Sequence, residues 1–229
     1  GEEISYQEEV LKLFDIRIKK TSEADLQKSR EKLSDIFGTS DPRKKLKRWR
    51  RERYLQKRLI KPALSSLTRE FAERSRKLLD SKKLGTCIFK LVENKPWTGY
   101  NWYLGKFRSR IEINIDKPVA ITSLPKLVAH EAYPGHHTEH VLKEEALYRG
   151  RGFLESSIFL INAPEATISE GIAENALELI FEREKDALRW TYSRFASKFD
   201  ASRDAQIIKA LDGLGEGRVN AAIMLHVEN

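Results

Sequence analysis

The chain has 229 residues, 40% hydrophobic and 33% charged, with 42 Lys and Arg against 34 Asp and Glu for a net charge of +8. This composition excludes a disordered tail, a collagen-like fibre and a membrane bundle, and no apolar run approaches the ~20 residues of a membrane span. Cys87 is the single cysteine, which excludes an intrachain disulfide and a cysteine-based zinc site.

Residues 1–5 carry neither a basic nor an apolar leader segment, so the sequence reads as cytoplasmic, with no membrane partner. Tyr6, Val10, Leu13, Phe14 and Ile18 recur at helical spacing. Ser22 and Asp25 open a second helix with Leu26, Leu33, Ile36 and Phe37 as its buried stripe and Gly38 as its cap. Asp41 as N-cap and Pro42 at the first position open a third. From Arg43 to Lys61 there are eleven basic residues and one acid, Glu52, so the excess charge is a patch. Residues 43–61 thus offer a surface for nucleic acid or an acidic partner. They hold no recognisable groove-reading motif, and a solvated helix face is the plainer account. Pro62 predicts a kink or a restart. Residues 1–84 read as an N-terminal helical segment and 85–229 as a second unit, or the two form one continuous domain.

Gly85 marks a change of period. Residues 86–92 predict a strand and 94–105 an aromatic loop. Over 110–116, Ile111, Ile113 and Ile115 alternate with polar residues, the pattern of a half-buried strand. A helix starts at Ser123–Pro125, runs into a histidine-rich stretch and continues past Leu142. A helix over 153–162, a break at Pro164 and helices over 167–194, 203–212 and 217–226 complete the pattern. The predicted class is α+β, mainly helical, with a small mixed or antiparallel sheet of three or four strands.

Four of the five histidines fall within eleven residues: His130, His136, His137 and His140. His-Glu on a helix is half of a zincin site, in which His binds zinc and Glu is the general base for water whose pKa the metal lowers to roughly 7. A second ligand belongs at i+4, on the same helix face, where this chain has Pro134. Pro134 removes a backbone donor and Gly135 relaxes the chain, so a break is expected here, and a two-residue insertion brings His136 to the i+4 place. On an unbroken helix His137 faces the same way about 10 Å further on, and His136 with His140 is a further i,i+4 pair. Glu170 offers a third, acidic ligand from a later helix, with Glu174 one turn on to orient a histidine.

The stretch His130-Glu131-Ala132-Tyr133-Pro134-Gly135-His136, with Glu170-Gly171-Ile172-Ala173 downstream, resembles a large family of zincin-like proteins marked by HExxPGH and an EGWA-type motif. That family is grouped with the gluzincin metallopeptidases such as thermolysin and aminopeptidase N. The resemblance covers about residues 95–226, with Ile172 in place of the motif's Trp. It implies a zincin-like domain that holds one zinc, or another divalent metal, through His130, His136 and Glu170, with Glu131 as base. The implied activity is peptide-bond hydrolysis, carboxypeptidase-like if Arg108 and Arg110 clamp a substrate carboxylate. A gluzincin site also places strand 110–116 beside the cleft, its edge free to pair with a peptide, and needs an oxyanion donor. His226, Arg218, Tyr100 and Tyr103 are the candidates. His137, Glu174 and Arg110 are placed around the metal or the substrate. The other readings are a non-catalytic module on the same fold and a basic helical nucleic-acid binder.

Overall fold

The first four helices follow from local signals. In the computed structural model, which describes residues 4–79, 83–161 and 163–227, Ser5 and Glu8 form a reciprocal capping box at the start of α1 (Tyr6–Phe14). Asp15, in the left-handed region, ends it before Ile18 is reached. Ser22 caps α2 (Glu23–Phe37), which buries Leu26, Leu33 and Phe37 and stops at left-handed Gly38. α3 (Arg43–Glu52) begins one residue later than predicted: Pro42 is the cap residue and Asp41 accepts the Arg43 N–H at 3.2 Å.

The single basic helix expected over 43–61 is broken by tertiary pairing. Leu55 N–H donates to Val119 O and Ile121 N–H to Arg53 O, both at 2.9 Å. This short antiparallel bridge, Tyr54 opposite Ala120, occupies the break between α3 and α4 (Lys57–Leu79). The restart therefore lies ahead of Pro62, and α4 runs through that proline.

The sheet has three strands in the order β1 (Thr86–Val92), β3 (Arg108–Asn114), β2 (Gly99–Tyr103). β3 runs parallel to β1 and antiparallel to β2. Two expectations are corrected. Residues 94–105 are not all loop, because aromatic Gly99–Tyr103 pairs as a strand, as Tyr and Trp favour. The Ile-rich strand, shifted to Arg108–Asn114, is the central one and has no free edge. Its Ile111 and Ile113 are buried against α4 and α5 (Leu124–Glu131).

One core joins Ile60, Leu64, Leu67 and Phe71 of α4 to Leu84, the sheet, Val128 and Ala129 of α5, and Ala176 and Ile180 of α7 (Pro164–Ile180). α6 (His136–Lys143) runs on as a π-helical turn, Glu144–Arg149. Of the helix expected over 153–162, the described residues form instead a 3₁₀ turn, Leu154–Ser157, and residues 158–161 are not helical; residue 162 lies outside the described residues. The apolar side chains of 153–161 stay exposed, so no buried stripe selects a helix there. The span 167–194 divides at residues 181–183 into α7 and α8 (Glu184–Phe195), followed by α9 (Ala201–Gly215) and α10 (Gly217–Val227). No helix among the described residues is long and apolar enough to cross a membrane.

A buried ionic hub ties the N-terminal helices to the C-terminal ones. Asp204 of α9 is fully buried. It accepts Trp49 Nε1–H at 2.7 Å, Arg53 Nε–H and Nη2–H at 2.6 and 2.7 Å, and Tyr192 O–H at 2.6 Å. Arg53 is thus a core residue of the basic segment, its guanidinium between the rings of Trp49 and Phe199.

Candidate metal centre

α5 ends at Glu131, and the chain then loops for four residues before α6. The hydrogen bonds define the loop. Gly135 N–H donates to Ala129 O at 2.9 Å and Thr138 N–H to Ala132 O at 3.3 Å, each six residues back instead of four. Glu139 N–H to Gly135 O, at 3.0 Å, restores the α-helical step. Two residues are thereby inserted into a nearly continuous helical path, and the residue six after His130 returns to its side. The His130 and His136 rings lie edge to face with centroids 4.7 Å apart. Gly135 is required by contact: a Cβ there would sit 2.0 Å from His130 O and 2.4 Å from Ala129 O. The Tyr133–Pro134 bond is cis.

α7 supplies the acids. His130 Nε2 lies 3.5 Å from Glu170 Oε2, and His136 Nε2 lies 3.4 Å from Glu170 Oε1. One ligand atom from each of these three residues lies within 4.8 Å of the others, so the group can hold a metal ion. Two donors bound at 2.0–2.2 Å to a tetrahedral metal are about 3.4 Å apart, so the spacing fits. The remaining ring nitrogens fit too. His130 Nδ1 faces Glu174 Oε1 at 3.7 Å, and His136 Nδ1 meets Ser169 Oγ at 3.2 Å. Ser169 Oγ–H donates in turn to Glu139. A carboxylate or hydroxyl behind each imidazole fixes its tautomer and orientation.

Glu139 and Ser169 are buried and escaped the sequence reading, although Glu139 is three residues from His136 and Ser169 precedes Glu170. Burial works against the Glu139 charge, but hydrogen bonds from His136, Lys143 and Ser169 hold its carboxyl down at about 2. Lys126, four residues before His130, was also missed. It pairs with Glu174 at 2.9 Å and lowers that carboxyl's pKa.

Glu131 is buried beside β2. Its Oε1 would lie 3.3 Å from a Cβ on Gly99, and Asn101 Nδ2–H donates to its backbone carbonyl at 2.6 Å. Burial pushes the Glu131 carboxyl up to about 7, with His136 opposing and Glu170 adding to the rise. His130 and Glu131 line a cavity of about 560 Å³ that extends past Lys126 and Glu174 to Tyr54 and Trp49.

Other residues singled out from sequence lie elsewhere. His137 is fully buried and turned into the core, with Nε2–H on Leu84 O at 2.9 Å and Nδ1 at 2.7 Å from Ser109 Oγ. Burial pushes it down to about 4 against the Leu84 hydrogen bond. His140 stacks on Tyr103 instead of pairing with His136. Tyr103 O–H is committed to Glu144, and burial with that carboxylate raises the phenol's pKa. Tyr100 packs with Trp97 and Trp102 on the opposite face of β2. Arg110, 3.3 Å from Glu112, lies over Trp102 on that same face, away from the histidines. Arg108 is exposed at the start of β3, so the arginine clamp does not form at the group. Arg218 Nε–H bonds Gly215 O. His226 lies in α10, and its side chain is outside the described residues.

Comparison with protein-family models, curated proteins and solved structures returns no match.

Proposed function

We propose that this chain is a metal-dependent hydrolase of peptide or related amide bonds, with zinc held by His130, His136 and Glu170. The observation that carries the reading is the convergence of these three donors next to the buried carboxyl of Glu131. The motif resemblance supports it independently of the geometry. Zinc is the default for two imidazoles and a carboxylate, although manganese, cobalt or nickel suit the same donors.

A divalent metal here supplies Lewis acidity, acidifying water and polarising a carbonyl. The chain's own residues do the rest. Glu131, with its pKa raised to about 7 by burial, takes a proton from the attacking water near neutral pH and passes it to the leaving nitrogen. Asn101 holds the Glu131 backbone through its carbonyl. Glu174, and Ser169 with Glu139, orient the two imidazoles.

The test is Glu131→Gln in the zinc-loaded protein, assayed on a mixture of peptides. The reading expects bound zinc to be retained and hydrolysis to fall by at least about 100-fold, the scale of general-base catalysis. Undiminished turnover removes Glu131 from its role. Zinc bound without turnover in the wild type favours the non-catalytic module.

A further inference from the structure

The proposed chemistry leaves the basic helix unused. α3 buries Trp49 against Leu33, Phe37, Ile207 and Ala210, with Leu46 packed beside it. At 3.6 residues per turn, Lys44, Lys47, Arg48 and Arg51 share an arc of about 100° centred opposite Leu46 and Trp49. All four are exposed. The stripe runs about 10 Å along the helix axis, and no apolar or aromatic side chain of α3 interrupts it. None of the four lines the cavity that reaches His130 and Glu131.

Three cations beside the stripe are used by the fold. Arg43 Nε and Nη2 donate to Asp41 at 2.8 and 3.0 Å, Lys45 Nζ donates to Phe37 O at 2.6 Å, and the buried Arg53 guanidinium is held by Asp204. Within the stripe, Arg48 pairs with Glu52 at 2.8 Å, while Lys44, Lys47 and Arg51 form no ion pair with a described residue. Like charges three or four residues apart on a helix repel. Lys44 with Lys47, Lys44 with Arg48, Lys47 with Arg51 and Arg48 with Arg51 are all at that spacing. The stripe therefore costs the helix stability, and a row of anions laid along it relieves the repulsion.

A phosphate backbone is such a row, and it can be held with no base-reading side chain. A single strand is gripped through stacking aromatics, and a membrane-surface helix sinks an apolar face into lipid. The stripe has neither. We propose that the exposed face of α3 binds the phosphate backbone of a nucleic-acid duplex without reading its sequence, through Lys44, Lys47, Arg48 and Arg51. The proposal does not rest on the hydrolase reading, and measuring in EDTA keeps the two apart.

Fluorescence anisotropy of dye-labelled DNA duplexes of about 20 base pairs, titrated with the full chain, tests this. With four phosphates contacted, affinity should fall about 100-fold between 50 and 200 mM salt. Lys47→Gln combined with Arg51→Gln removes two contacts. It should cut that fall to about tenfold and weaken binding at 50 mM salt by at least about tenfold. Lys44→Gln alone should act in the same direction by about one contact. Arg69→Gln combined with Lys77→Gln removes the same charge from exposed positions of α4 and should change affinity by less than about threefold. Helical circular dichroism should be unchanged throughout, since every substituted side chain is exposed. Equal losses in the two double variants reduce the binding to net charge and overturn the assignment. So does a wild type that leaves the duplex unbound at 50 mM salt, or that binds the single strand more tightly. A preference of more than about tenfold between two unrelated duplex sequences contradicts backbone-only contact. Binding to phosphatidylserine vesicles but not to the duplex moves the stripe to a membrane surface and overturns the assignment too.

Discussion

Gly135 donates its N–H to the carbonyl of Ala129 at 2.9 Å, six residues back. This one bond sets the spacing of the site. It closes a loop two residues longer than a helical turn, and the next residue is His136. A helix without the loop would present Pro134 to the partner of His130.

Gly135→Ala is the direct test of that loop. Its Cβ meets two carbonyl oxygens at 2.0 and 2.4 Å, and backbone atoms cannot yield as a flexible side chain can. The substitution should cost about 3 kcal/mol or more and abolish zinc uptake. Urea unfolding and a zinc competition titration measure the two effects.

The groups behind the histidines should tune metal affinity without holding the fold. Glu139→Gln keeps the shape but removes the charge behind His136 Nδ1, and it should weaken zinc binding by about 10- to 100-fold. Ser169→Ala interrupts the same chain of contacts and should act in the same direction. An unchanged zinc affinity in both would show that His136 needs no such support.

His137 gives stability a pH dependence. Its pKa falls from 6.5 to about 4 on folding. Between these values the unfolded chain binds a proton that the folded chain refuses, so stability rises with pH across this window. The contribution is complete above pH 6.5 and lost as pH falls toward 4, up to about 3 kcal/mol. Burial pushes His140 down to about 4 as well and Glu131 up to about 7, the latter acting in the opposite sense. Urea midpoints measured in EDTA should therefore rise less steeply with pH in His137→Gln than in the wild type, without losing the whole pH dependence.

Asp204 should be the most sensitive polar residue outside the candidate site. Asp204→Ala leaves Arg53 buried without its carboxylate and strips partners from Trp49 and Tyr192. Breaking a buried pair from one side costs about 3–5 kcal/mol. Thermal and chemical unfolding should both register it, while Arg48→Ala, at an exposed i,i+4 pair, should change stability by less than about 1 kcal/mol.

The sequence was most legible where a local rule decides the structure. The Ser22 cap, the Gly38 stop, the strand at 86–92 and the break at Pro134–Gly135 all rest on chemistry within a few residues. The alternation of Ile111 and Ile113 was legible as a strand, but its central place in the sheet was not. That depends on β2, whose Gly99 and Asn101 look like turn residues until paired with Ile113 and Ile111. The same limit applied to the site. His130, His136 and Glu170 could be picked out by motif and spacing, whereas the hydrogen bonds of His137 and Tyr103 could not, because their partners, Ser109, Leu84 and Glu144, are remote in sequence. The burial of Arg53 was invisible for the same reason, since Asp204 lies 151 residues away.

The central claim is that two imidazoles and a carboxylate hold a metal. Elemental analysis of the untagged chain, with His136→Ala and Glu170→Ala prepared alongside, tests it most directly. The account predicts about one zinc per chain in the wild type, lost from both variants while their helical circular dichroism is retained. A wild-type chain that stays metal-free after zinc is added back, or variants that bind zinc as well as the wild type, would contradict it.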